Sequence, residues 1–326
     1  MRALVLSATL ALFALGLAAG PARADVGRVL DDHVLPGVSA FAGATAALAK
    51  AARQDCTAVG PAHAAAFDAW MGIAHLNLGP GEGAALGIAF WPDPRGTAPR
   101  ALRALLAGPL PDDYAQVSAA ARGLHALDLM LGEPGLRDYA PGSPGCALVT
   151  AIAADLAAQA AALDAAWQDD FAARLRSAGA ADNATFLAPD EAVRALYTQL
   201  VTGVEFIKDQ RVARPLGAFG APHPARAEAW RTARPQRNIL LSLAALRDLA
   251  RALSDVPMPR SETAFAAALD AAGRLSDPAL ADLDDPQAWL KLDILRQRLD
   301  ALQDEIAAEL GAALAVGAGF NALDGD

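Results

Sequence analysis

An all-α fold follows from three features of the chain. Apolar residues recur at helical spacing along most of its length, alanine and leucine dominate, and no run of β-branched residues alternates strictly enough to make a strand. With roughly four helices expected in each half, the pattern predicts two helical-bundle domains with a shared interface cleft.

The 326-residue chain opens with Arg2, an apolar run from Ala3 to Gly20, and Pro21-Ala-Arg-Ala24. That is the layout of an export signal cut after Ala24. Residues 1–24 are read as a signal peptide, 25–178 as an N-terminal bundle and 179–326 as a C-terminal bundle, divided at the small, polar stretch 179–185. No later stretch is apolar and uninterrupted for long enough to span a bilayer. The expectation is an exported, periplasmic or cell-envelope protein with no transmembrane segment after signal removal.

In order, Phe41 and Leu48 mark a helix over 38–55. Pro61 opens a second, where its missing N–H costs little, and Phe67, Trp70 and Ile73 carry it to about Asn77. Gly79-Pro-Gly-Glu-Gly83 breaks that helix, and Ala89-Phe-Trp-Pro-Asp-Pro94 is a turn because its prolines disfavour helix. Helices are expected over 99–107 and 112–131, the latter stopped by Gly132, Pro134 and Gly135. Leu148, Ile152, Leu156, Leu163, Trp167 and Phe171 make one long helix of 146–175. The second half predicts helices over 189–209, 226–253 with a kink at Pro235, 261–274 and 287–314, with 214–224 irregular. The Gly- and Asp-rich tail from Val316 to Asp326 reads as a polar end, with Asn321, Asp324 and Asp326 as available oxygen ligands.

The formal net charge is −10; losing Arg2 and Arg23 takes Lys+Arg from 27 to 25 against 37 Asp+Glu, or −12. An acidic chain without a basic block argues against nucleic acid as a partner and is compatible with attracting cations. Cys56 and Cys146 are the two cysteines, and an oxidising compartment favours a disulfide between them over two free thiols or a thiol ligand.

The chemistry-bearing stretch is Gly123-Leu-His-Ala-Leu-Asp128. His125 and Asp128 lie three residues apart, one turn along one helix face, and flank the stripe of Leu124, Leu127 and Leu131. An imidazole beside a carboxylate is half of a metal site; it is also an ordinary hydrogen-bonded pair. Gly123 lets a neighbouring backbone approach. Glu205, among apolar neighbours, is a third candidate metal ligand, or a carboxylate paired with arginine. Arg231 and Arg234 are candidates to orient or neutralise a carboxylate, and Asp324 to cap the interface. A zincin needs His-Glu-x-x-His, yet none of His33, His63, His75, His125 and His223 has another histidine four residues on. A nucleophile elbow, a Walker loop and a dinucleotide fingerprint are also absent.

Taken together the blocks resemble the imelysin family of bacterial exported proteins. The family's Gly-x-His-x-x-Glu stands here as Gly123-Leu-His125-Ala-Leu-Asp128, followed by Leu129-Met-Leu-Gly132. Trp70 with Gly79-Pro80, the Phe90-Trp-Pro-Asp93 turn, Ala227-Glu-Ala-Trp-Arg231 running on to Arg237-Asn-Ile239, and the tail Gly319-Phe-Asn-Ala-Leu-Asp-Gly-Asp326 are similar to further family blocks. The resemblance implies two helical bundles with the motif near their interface and a cell-envelope role linked to iron acquisition; some members carry a metallopeptidase label. Asp128 replaces the family's Glu, and its carboxylate sits one methylene closer to the backbone.

The expected function is a non-catalytic binding module. It would hold a divalent metal, iron, or an iron-bearing ligand or partner, including other envelope iron-uptake proteins, at the cleft. A structural docking protein ranks second and a metal-dependent peptidase third. The alanine stripes can be buried within one chain, so a monomer is expected.

Overall fold

In the computed structural model, which describes residues 25–316, every named element is helical, and one isolated antiparallel bridge joins Ala218 to Ala221. The all-α expectation holds. Helix α1, Val26–Gln54, starts beneath Asp25, whose carboxylate accepts from the Arg28 N–H at 2.8 Å. It begins well before residue 38 because Val29, Leu30 and Val34 supply a buried stripe that Asp31 and Asp32 interrupt in sequence. A π-helical turn, Leu30–Val34, lies inside it.

Helix α2, Gly60–Met71, has Pro61 in its first turn as expected. Helix α3, Pro80–Ile88, rises from the Gly-Pro stretch read only as a breaker: Gly79 turns the chain at φ 53° and Pro80 is preset for a first helical turn. Then come α4, Thr97–Leu106, α5, Gly123–Gly132, and the long α6, Pro144–Arg176. Helix α7, Pro189–Phe206, continues through a π turn, Ile207–Ala213, to Leu216. Helices α8, Pro235–Leu253, α9, Pro259–Gly273, and α10, Pro286–Glu305, complete the order.

Besides residues 72–77, where α2 stops at Met71 short of the expected Asn77, two stretches expected as helix are not. Residues 112–122 hold two 3-10 turns, Tyr114–Gln116 and Ala119–Ala121. Residues 224–234 hold two more, Pro224–Arg226 and Trp230–Thr232, the second flanked by Ala229 and Ala233 in the left-handed region. Pro235 therefore starts α8 instead of kinking it. Both irregular stretches border the site described below.

Helices α1 and α6 pack along one another, tied by the Cys56–Cys146 disulfide and by a Ser39 hydroxyl donating to Asp164 at 2.8 Å. By length and composition each is apolar enough to cross a membrane, a property that a core helix of a helical bundle also has. Buried apolar residues from both halves, Phe41 and Trp70 with Leu243 and Leu246 among them, join in one contiguous cluster. Arg28 reaches across from α1, donating from Nε to Ala252 O at 2.9 Å and from Nη2 to Ser254 O at 2.7 Å. These bonds satisfy carbonyls at the C-terminal end of α8 that no helical N–H reaches. The expected signal peptide and the tail lie outside the described residues.

Candidate ligand-binding site

The site is built outward from Gly123. This residue sits at φ 74°, and a Cβ there would come within 2.1 Å of Ile88 O. Only glycine lets the first turn of α5 rest on the end of α3. We expect Gly123→Ala to cost about 1–3 kcal/mol from backbone strain alone, before the clash. A thermal melt checks this, and an unchanged melting temperature would contradict it.

So placed, α5 turns His125 and Asp128 inward, to 6% and 3% exposure. Both line a cavity of about 430 Å³, together with Trp91, Arg214, Arg226 and Arg231. Its walls come from residues 90–129 in the first half of the chain and 214–231 in the second. The His125 ring lies nearly parallel to Trp91, with ring centres 6.2 Å apart at 14°, and meets Phe67 edge-on at 5.2 Å. Aromatic packing thus fixes the imidazole, yet neither ring nitrogen has a hydrogen-bond partner, although both are buried. Its Nε2 is 3.6 Å from Glu228 Oε1, too far for a hydrogen bond.

Glu228 is itself 3% exposed. It accepts from Arg211 Nε at 2.7 Å and from Asn238 Nδ2 at 2.9 Å, while Arg211 also donates to Ser242 Oγ at 2.9 Å. Burial works to push the Glu228 carboxyl up, but the Arg211 guanidinium, together with the neighbouring His125 ring, overcomes it and holds the group at about 2. Asp128 behaves oppositely. Burial raises its pKa against a hydrogen bond from the Thr232 hydroxyl at 2.5 Å and the positive charge of Arg231 and Arg234. The left-handed alanines that flank the Trp230–Thr232 turn shape the loop presenting both Glu228 and Thr232. Left-handed alanines carry a conformational cost, of a kind concentrated at binding sites.

The other sequence candidates divide. Arg231 lines the cavity, pairs with Glu133 and lays its guanidinium over the Trp230 ring at 4.6 Å. Arg234 is buried beside the cavity without lining it, held by Asp68, Asn238 and the Phe67 face. Glu205 is only partly buried on α7 and does not line the cavity. Asp324 lies outside the described residues. Among those residues no group of three or more His, Cys, Asp or Glu is disposed to hold a metal ion. Sequence reasoning missed Glu228, Arg211, Arg214 and Arg226. Glu228 was signalled only by its place in Ala227-Glu-Ala-Trp-Arg231, and Arg211 by nothing, since a π turn and not helical spacing aims it inward.

The profile of the family described as Imelysin matches residues 32–316, most of the chain. The chain belongs to the imelysin family. Its fold is shared with an imelysin-like protein from Psychrobacter arcticum at a TM-score of 0.74 and 20% identity, covering 91% of this chain and 99% of that one. A putative iron-regulated protein A precursor from Parabacteroides distasonis superposes at a TM-score of 0.67 and 13% identity, covering 86% of this chain and 93% of that one. No curated protein matches significantly. In this imelysin the family motif accordingly faces a cavity through His125 and Asp128.

Proposed function

We propose that this imelysin is a non-catalytic binding protein of the cell envelope that takes an anionic, iron-bearing ligand into the cavity at His125. The observation that carries the reading is the His125 ring: two buried nitrogens without partners, beside a cavity that three arginines also line. Buried polar atoms are ordinarily satisfied, so a ligand group that meets this ring supplies the hydrogen bond or coordination that the protein does not. Arg214, Arg226 and Arg231 supply guanidiniums suited to carboxylates or phosphates.

A bare cation fits less well. The Asp128 carboxylate is engaged by Thr232, and Glu228 by Arg211 and Asn238, leaving His125 as the uncommitted donor. A metal arriving inside a chelate brings its own ligands and needs from the protein an imidazole and charge neutralisation. The family membership and the iron-regulated neighbour support iron as the metal. The signal-like N-terminus and the disulfide support export.

A peptidase would need an ion with an open position and a base near its water, which two engaged carboxylates do not offer. A purely structural role would use His125 as a hydrogen-bonding strut, whereas its nearest carboxylate oxygen, Glu228 Oε1, stands 3.6 Å from Nε2.

The test is titration of the purified protein with ferric citrate, followed by Trp fluorescence. Wild type is expected to bind and His125→Ala to bind about 10–100-fold more weakly, the scale seen when an orienting contact at a metal site is lost. Equal binding by the two proteins, or no binding by wild type, would sink the reading.

A further inference from the structure

A pair of imidazoles meets away from this cavity. His33 stands in the π turn of α1 and His75 in the turn that follows α2. Their Nε2 atoms are 2.9 Å apart and their ring centres 5.0 Å apart, tilted by 36°. Two contacts produce such a distance. One ring donates Nε2–H to the other's lone pair, or both lone pairs address one ion. At a metal–nitrogen distance of about 2.0–2.1 Å, nitrogens this far apart subtend about 90° at the metal. That is the angle between neighbouring ligands in octahedral or square-planar coordination, the preference of copper(II) and nickel(II) at nitrogen and oxygen sites.

The surroundings favour the ion. His75 borders a cavity of about 310 Å³ whose walls include Asn77, Thr198, Gln199, Thr202 and Ser242. Gln199 is 6% exposed; its amide nitrogen donates to Ala195 O at 3.3 Å, but its Oε1 is buried without a partner. This uncommitted amide oxygen lines the same cavity as His75 and is a hard donor suited to a mixed nitrogen and oxygen set. Arg211 also borders the cavity, but its charge is balanced by Glu228. Asp248 on α8 adds a negative charge near His33. Finally, a π turn displaces side chains from helical register, and such turns concentrate at functional sites.

From this juxtaposition we infer that His33 and His75 form a second metal site, taking a divalent first-row transition ion as neighbouring ligands, with water and the Gln199 amide filling further positions. This site is separate from the cavity at His125 and does not depend on the function proposed for it.

The experiment uses chelator-stripped, purified protein and Cu(II) alone, in the His125→Ala background so that the first site contributes no imidazole. Pulsed electron paramagnetic resonance then counts coordinated imidazoles, and competition with a chelator gives the affinity. The expected result is one Cu(II) carrying two imidazoles, with affinity falling by about 100-fold or more in His33→Gln and in His75→Gln. One imidazole or none in the His125→Ala protein would overturn the inference, as would unchanged affinity in both glutamine variants. The imidazole count needs neither glutamine variant, so it decides the matter even if those variants fold poorly. Loss of ferric citrate binding in His125→Ala, with the two-imidazole copper signal kept, separates this site from the first.

Discussion

Glu228→Gln is expected to destabilise the protein by about 3–5 kcal/mol, the usual cost of stripping a buried charge of its partner. The amide preserves shape, but leaves the Arg211 guanidinium, 5% exposed, without a counter-charge. In a chain of this size that corresponds to a fall in melting temperature on the order of 10 °C. The pairing of Arg211→Met with Glu228→Gln should recover much of the loss, because neither charge then remains buried alone. A double-mutant cycle read by denaturant unfolding checks both statements; strictly additive losses would show that the two side chains are not coupled. The pH dependence has a definite sign. A carboxyl held at about 2, below its ordinary 4.5, contributes stability that is full above 4.5 and is lost as pH falls towards 2. The glutamine variant should lack that acid-dependent component.

Opening the Cys56–Cys146 disulfide should have an effect of similar size. The bridge joins residues 90 apart in sequence, and on the chain-entropy account closing a loop of that length in the unfolded state is worth about 4–5 kcal/mol. Cys56→Ser with Cys146→Ser, or reduction of the native protein, should lower the denaturation midpoint and steepen the slope against denaturant, because the unfolded chain without the crosslink exposes more surface. A midpoint that does not move would mean the unfolded chain gains no freedom when the bridge is cut.

How much of this was legible in the sequence depended on whether one local rule controlled the outcome. Long periodic stripes did: Leu148 to Phe171 announced α6, and Pro61 announced the start of α2. His125 and Asp128 were visible because a single helical turn relates them, and the disulfide because two cysteines leave one pairing. Glu228 and Arg211 were not visible. Seventeen residues separate them, one stands in a π turn and the other in a stretch whose 3-10 turns break the 3.6-residue period, so no spacing rule connects them. The pairing of His33 with His75 was hidden for the same reason, since it joins a π turn to a post-helical turn 42 residues away. Glu205, an acidic residue in an apolar helix, is partly exposed and does not line the cavity, a placement that spacing along one helix does not reveal.

The reach of Arg28 sets the order in which the chain can finish folding. Its acceptors lie 224 and 226 residues downstream, so the first helix to leave the ribosome closes against one of the last. Without α8 the early helices have no such partner, and the loop that must close spans 224 residues, about two thirds of the chain. Contacts that distant are entropically late and slow. Completion of this fold therefore waits for most of the chain, although α1, α2 and α6 hold most of their mutual contacts within the first half.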